Sequence, residues 1–271
     1  MRTRGTWVAA VIAIILSGLA SVASAGPAGA ATRGIDVACP AGEAPDSGFL
    51  DVPDSEVHKA SIDCASWWAL LRGTSSDQFS PSNAVTRGQV ASLMVRILAS
   101  SGAPLPDEPI DHFSDDAESV HQLSINRLSE IGIVKGVQPG LFSPEGPVTR
   151  AQLATTFVGT LEYLRGEGLA AGSDAFADDN GNVHEASINR LGAAGIIGGT
   201  SEAAFSPAAG ATRAQTSTFL ARALDLLASE DRIVRGLAYE SIGDGEFRVG
   251  GPRWDRVITF AFLNGTDDLA N

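Results

Sequence analysis

His58, His121 and His184 stand 63 residues apart, and the residues that follow each of them recur in the same register. Counted from the histidine, an isoleucine falls at +4 (Ile62, Ile125, Ile188), a glycine at +15 (Gly73, Gly136, Gly199), and Phe-Ser-Pro begins at +21 (Phe79, Phe142, Phe205). Thr-Arg-x-Gln begins at +28: Thr86, Arg87 and Gln89, then Thr149, Arg150 and Gln152, then Thr212, Arg213 and Gln215. Three ungapped copies define a tandem repeat, and a repeat constrains a chain strongly. One unit cannot bury its apolar face alone, so neighbouring copies must complete one another's core.

Within each unit the histidine and the isoleucine at +4, joined by Leu128 and Leu191 at +7, share one face of a first helix, which marks that face as buried. Glycines in Glu130-Ile131-Gly132-Ile133 and Ala193-Ala194-Gly195-Ile196 suit the left-handed conformation that stops a helix. Repeat one has Ala69 there, beside Trp67 and Trp68, and its helix end is expected to be built differently. The proline of Phe-Ser-Pro enforces an extended turn, and its phenylalanine is read as a plug tying the loop to the core rather than as a stacking surface for a ligand. Thr-Arg-x-Gln matches a capping box, in which the threonine hydroxyl caps the helix and the glutamine three residues on reaches back. A longer helix follows, with apolar residues at spacings of three and four, such as Leu93, Met94, Ile97 and Leu98. The fold class is therefore all-α: three helix-loop-helix repeats closing into a pseudo-three-fold bundle.

The repeats are flanked by different material. Arg2 and Arg4 precede an apolar run from Trp7 to Leu19, and small residues follow, as in an export signal; an uncleaved N-terminal anchor is the alternative. The expected organisation is a signal peptide at 1–25, with cleavage as late as about 31, a lead-in at 26–45, and repeats at 46–102, 110–168 and 173–228, with an extension at 229–271. Stretches 100–110 and 165–175, rich in Gly, Pro, Ser and acidic residues, read as surface linkers. Cys39 and Cys64 are the chain's two cysteines, and outside the cytoplasm such a pair forms one disulfide, stapling the lead-in to repeat one. A net charge of −13 argues against nucleic acid or an anionic membrane surface as a partner, and no membrane insertion is expected once the signal is removed.

These residues carry a family resemblance. Phe-x-Asp-Val (Phe49 to Val52), then His, Ile, Gly-Ile, Gly, Phe-Ser-Pro and Val-Thr-Arg-x-Gln resemble the S-layer homology domain in triplicate, over about residues 46 to 228. The resemblance implies non-covalent anchoring to a bacterial cell wall by binding a secondary wall polysaccharide, often pyruvylated, in grooves between repeats. It implies that the arginine of the Thr-Arg motif meets the pyruvyl carboxylate, and so names Arg87, Arg150 and Arg213, with Thr86, Thr149, Thr212, Gln89, Gln152 and Gln215, as ligand-binding candidates. The helix start around each arginine, with its unpaired N–H groups, is itself suited to an anion. The competing reading pairs each arginine with Asp51, Asp115 or Asp178. The family's acidic fourth position is glutamine here in all three copies, and Ala211 replaces valine before Thr212, so equivalence of the grooves is not assured.

The histidines read as satisfied, partly buried helix residues, and His112 as a loop residue; no metal site and no cofactor are expected. In the extension, Arg256 to Leu263 reads as a strand. Gly250-Gly251-Pro252-Arg253-Trp254 onward resembles the first strand of a matrixin-type zinc metalloprotease domain over some 20 residues, without any HExxH. Secreted wall attachment without catalysis is the primary expectation. The alternatives are the front of a truncated wall-anchored metalloprotease and a protein-binding assembly module.

Overall fold

The computed structural model describes residues 32–233, together with the backbone of 238–243 and 246–250. Six helices carry the repeats: α1 (Lys59–Trp67), α2 (Arg87–Ser100), α3 (Gln122–Glu130), α4 (Arg150–Arg165), α5 (Glu185–Ala193) and α6 (Arg213–Ser229). A short antiparallel hairpin, β1 (Ala238–Gly243) with β2 (Glu246–Gly250), follows them. The described chain is mainly α. The export signal and the strand expected at 256–263 lie outside the described residues.

The short helices α1, α3 and α5 begin at the histidines and end on a residue of positive φ: Gly132 at 78°, Gly195 at 72° and, in repeat one, Ala69 at 55°. The expectation of a different helix end in repeat one is thus corrected. Ala69 is exposed and adopts the glycine conformation despite its Cβ. The tryptophan beside it is used elsewhere, Trp68 Nε1 donating to the Ala38 carbonyl of the lead-in at 3.0 Å.

Each long helix opens on the complete capping box. The hydroxyl oxygens of Thr86, Thr149 and Thr212 accept from the amides of Gln89, Gln152 and Gln215, whose side-chain oxygens accept in return from the threonine amides. The N–H groups at the start of each long helix, expected to be unpaired, are occupied. The first-turn amides of Arg87 and Gly88 donate to the carbonyls of Gly146 and Pro144, those of Arg150 and Ala151 to Ala209 and Pro207, and those of Arg213 and Ala214 to Asn83 and Pro81. A neighbouring repeat's loop therefore satisfies the groups that an anion would otherwise have used.

These junctions form a closed cycle. Repeat one grips the loop of repeat two, repeat two that of repeat three, and repeat three that of repeat one. At its centre, Val85 N donates to Ala211 O at 3.0 Å, Ala211 N to Val148 O at 2.9 Å, and Val148 N to Val85 O at 3.0 Å. Because backbone atoms make this ring, alanine at 211 serves as well as valine. Each short helix then packs on the long helix of another copy: α3 on α2, α5 on α4 and α1 on α6. Leu98, Leu128, Leu153, Leu161, Leu191 and Leu224, from all three repeats, are fully buried in one continuous core.

The lead-in joins the first and last helices. Cys39 is disulfide-bonded to Cys64 of α1. On α6, buried Asp225 accepts from the amides of Val37 and Ala38 at 2.7 and 3.2 Å and pairs with Arg33 at 3.1 Å.

Candidate functional site

The Phe-Ser-Pro loop is held by the aspartates two residues after Phe49, Phe113 and Phe176. Asp51, Asp115 and Asp178 each use both carboxylate oxygens to accept from the amides of the Phe-Ser pair, at 2.7–2.8 Å. The two bonds hold Ser80, Ser143 and Ser206 at φ of 58–61°, a conformation an L-residue adopts only when its surroundings impose it. Phe79, Phe142 and Phe205 are buried beneath, each against the first phenylalanine of its repeat at 5.2–5.5 Å. The glycine at +15 completes the loop, since a Cβ at 73, 136 or 199 would run into the carbonyl oxygen of Ser75, Leu141 or Ser201.

Against this loop lies the arginine of a different repeat. Arg87 Nε donates to Phe142 O at 2.7 Å and Nη2 to Lys135 O at 2.7 Å, with the guanidinium 4.3 Å from the Phe142 ring. Arg150 does the same to Phe205 O and Gly198 O at 2.8 and 3.0 Å, over the Phe205 ring at 4.5 Å. Arg213 closes the cycle on Phe79 O and Arg72 O at 2.7 and 2.6 Å, again 4.5 Å from a ring. Among the described residues no ion pair joins these arginines to Asp51, Asp115 or Asp178, which are engaged with backbone amides instead. The pairing with aspartate is thus not made, and part of each guanidinium is instead bonded to backbone carbonyls of the neighbouring repeat. Burial acts against its charge and lowers each arginine's pKa, while Asp115, Asp178 and Asp51 respectively act in the opposite direction. Nε and Nη2 are taken; Nη1 makes no hydrogen bond among the described residues.

Two of the resulting grooves are well-formed clefts. One, of about 490 Å³, is lined by Arg87 of repeat one, Lys135, Gln152 and Thr155 of repeat two, and His184 of repeat three. The other, of about 660 Å³, is lined by Arg150 of repeat two, Arg222, Gln215 and Thr218 of repeat three, and His58 of repeat one. Each cleft therefore draws on all three copies.

Sequence reasoning treated the histidines as markers of register, and the structure adds to that. His58, His121 and His184 are half-buried and bonded through Nδ1 to hydroxyls of Thr218, Ser92 and Thr155 at 2.7–2.8 Å, on the long helix of another copy. Burial lowers their pKa values, favouring the neutral ring at neutral pH. His58 and His184 also line the clefts. Immediately before each histidine stands an exposed valine, Val57, Val120 or Val183, at 87–92 % exposure, and Val57 lines the larger cleft. A repeated apolar residue left in water suits contact with a ligand, a signal the recurring Val-His pair held in two copies and in repeat one alike.

Residues 115–154 match the family model described as the S-layer homology domain. The chain is 34 % identical over 145 residues to the S-layer protein sap of Bacillus anthracis, covering 52 % of this chain and 16 % of that protein. It is 27 % identical over 187 residues to a cellulosome-anchoring protein of Acetivibrio thermocellus, covering 65 % and 41 %, and 26 % identical over 175 residues to an endoglucanase of Bacillus sp. strain KSM-635, covering 64 % and 18 %. The matched region spans less than half the length of each of these relatives.

Proposed function

We propose that this S-layer homology domain protein is a non-catalytic anchor, secreted and held at the cell wall or surface by binding wall polysaccharide in the clefts between its repeats. The observation that carries the reading is the placement of Arg87 and Arg150 in clefts that also offer hydroxyl, amide and imidazole groups, the mixture a saccharide needs for hydrogen bonding. The pseudo-three-fold bundle belongs to the same reading, and the closed cycle of backbone bonds supports it. So does relatedness to proteins named for surface layers and for cellulosome anchoring, and the endoglucanase relative fits a module shared by proteins of different activity. A pyruvylated polymer is the finer proposal: its carboxylate suits a guanidinium with an available Nη1.

The test is sedimentation of the folded chain with purified sacculi, before and after wall polymers are removed with hydrofluoric acid. Co-sedimentation that is lost on polymer removal is the expected result. Retention on the stripped wall would favour the protein-binding assembly reading, and failure to sediment at all would sink the anchor.

A further inference from the structure

The three grooves differ at two positions, and the differences compensate. At +14 from the histidine the repeats carry Arg72, Lys135 and Gly198; at +38 they carry Arg96, Gly159 and Arg222. Where one position is glycine, the other is a cation, and no repeat has glycine at both.

The structure shows why one can stand in for the other. Both positions line the same space: Lys135 and Gly159 in the Arg87 cleft, Gly198 and Arg222 in the Arg150 cleft. A Cβ built on Gly198 would stand 3.9 Å from Nη1 of Arg222, so the guanidinium lies in room that a longer residue at +14 would use. Arg222 and Arg96 are placed alike, their Nη1 groups donating to the +12 carbonyls Ile196 and Leu70 at 3.4 and 3.1 Å. Arg222 forms no ion pair among the described residues, and burial is what lowers its pKa. A partly buried cation without an acidic partner, in a chain of net charge −13, is costly to keep unless something anionic meets it. Acidic side chains at the clefts do not fill that role. Glu162 is paired with Arg190 at 3.4 Å, and Glu202 is exposed.

Resting on the anchor reading, we infer that each groove holds a two-cation clamp for an anionic saccharide: the Thr-Arg arginine of one repeat and a second cation of the next, supplied from +14 or +38. Arg150 with Arg222 and Arg87 with Lys135 are the pairs in the two clefts; in the third groove, that of Arg213, both positions carry a cation, Arg72 at +14 and Arg96 at +38. Two cations from different copies can grip a carboxylate or phosphate from two sides, so recognition depends on the assembled cycle.

The test transplants the charge. The full chain is titrated calorimetrically with a disaccharide bearing a pyruvate ketal, with a glycerol-phosphate oligomer and with the neutral parent disaccharide. Arg222→Gly is expected to lose one class of site or weaken it about tenfold, the scale of one charge-assisted hydrogen bond, and Gly198→Lys added to it is expected to restore binding. Arg222→Gln, which keeps most of the side-chain bulk, controls for packing, and thermal melts confirm that the variants used are folded. Preference for the ketal identifies a carboxylate ligand, and preference for the oligomer a phosphate. Unchanged binding by Arg222→Gly and Arg222→Gln, or a folded double variant that stays impaired, overturns the clamp. If the wild type binds no anionic probe yet still sediments with sacculi, the clamp falls and the anchor stands; if it does neither, both fall.

Discussion

Repeat one and repeat three perform the same structural task with different residues at corresponding places, and the differences separate what the fold requires from what it tolerates. After the loop-holding aspartate, repeat one has Val52 and repeat three has Asp179; both are buried. At the end of the short helix, repeat one has Ala69 and repeat three Gly195, both at positive φ. Repeat one is also covalently tied to the lead-in, whereas repeat three is tied to it by Asp225 and Arg33. What does not vary is the aspartate on the Phe-Ser amides, the buried phenylalanine, the capping box and the arginine. Those make the junctions; the others adjust stability around them.

The largest effect separating the two should come from the disulfide. Replacing Cys39 and Cys64 by alanine opens a link between residues 25 apart, and loop-closure entropy places its contribution at about 3 kcal/mol. Chemical denaturation should show a loss near that size, with the lead-in the first segment cut by limited proteolysis. If instead the double variant melts as the wild type does, the noncovalent ties of Asp225 to Arg33, Val37 and Ala38 suffice to hold the lead-in, and the asymmetry between the two repeats is cosmetic.

Asp179 tests the comparison from the other side. It is fully buried, with no hydrogen-bond partner beyond its own backbone, and burial, then the charges of Asp174 and Glu185, raise its pKa to about 6. A carboxyl group whose folded pKa exceeds its unfolded value near 3.8 opposes folding above that folded pKa, and the penalty disappears as pH falls from 6 toward 3.8. Asp179→Val, the residue type repeat one already uses, should therefore stabilise the protein at pH 7 by about 1–3 kcal/mol, the scale of two pKa units. The gain should shrink to near zero at pH 4. Stabilisation independent of pH would assign the effect to packing rather than to the buried charge.

How much of this was legible in one dimension depends on whether partners share a repeat. The capping boxes, the buried phenylalanines and the cysteine pair follow from local spacing, so Thr86, Phe79 and Cys39 could be read directly. The acceptors of Arg87 lie 48 and 55 residues away in another copy, and those of Arg213 lie 141 and 134 residues back. Periodicity says that such residues are equivalent; it does not say which copy meets which. The same holds for Asp51, whose carboxylate was free to be assigned to an arginine until the loop amides 28 and 29 residues on were placed against it. The exchange between Gly159 and Arg222 was visible in the aligned copies, but without the cleft nothing identified those positions as neighbours of Lys135 and Gly198.

The smallest effect concerns the helix ends, where the two repeats differ by one methyl group. Ala69 holds φ at 55° and its side chain is exposed, so its Cβ gains no packing while carrying the left-handed penalty of roughly 1 kcal/mol or more. Ala69→Gly removes that strain but gives the unfolded chain additional freedom, which offsets about 0.4–1 kcal/mol. The net expectation is a gain of a few tenths of a kcal/mol. Gly195→Ala reverses both contributions, and because Gly195 is buried, with its carbonyl accepting from the Arg33 amide at 2.7 Å, it should cost at least that much, measurable as opposite shifts in denaturation midpoint at unchanged slope. Since both residues already share one backbone conformation, equal and opposite shifts would mean that the helix end is set by the packed repeat rather than by the residue. A Gly195→Ala loss several times the Ala69→Gly gain would show that the buried surroundings of Gly195 have no room for the methyl that repeat one leaves in solvent, and that the two ends are less alike than their dihedral angles.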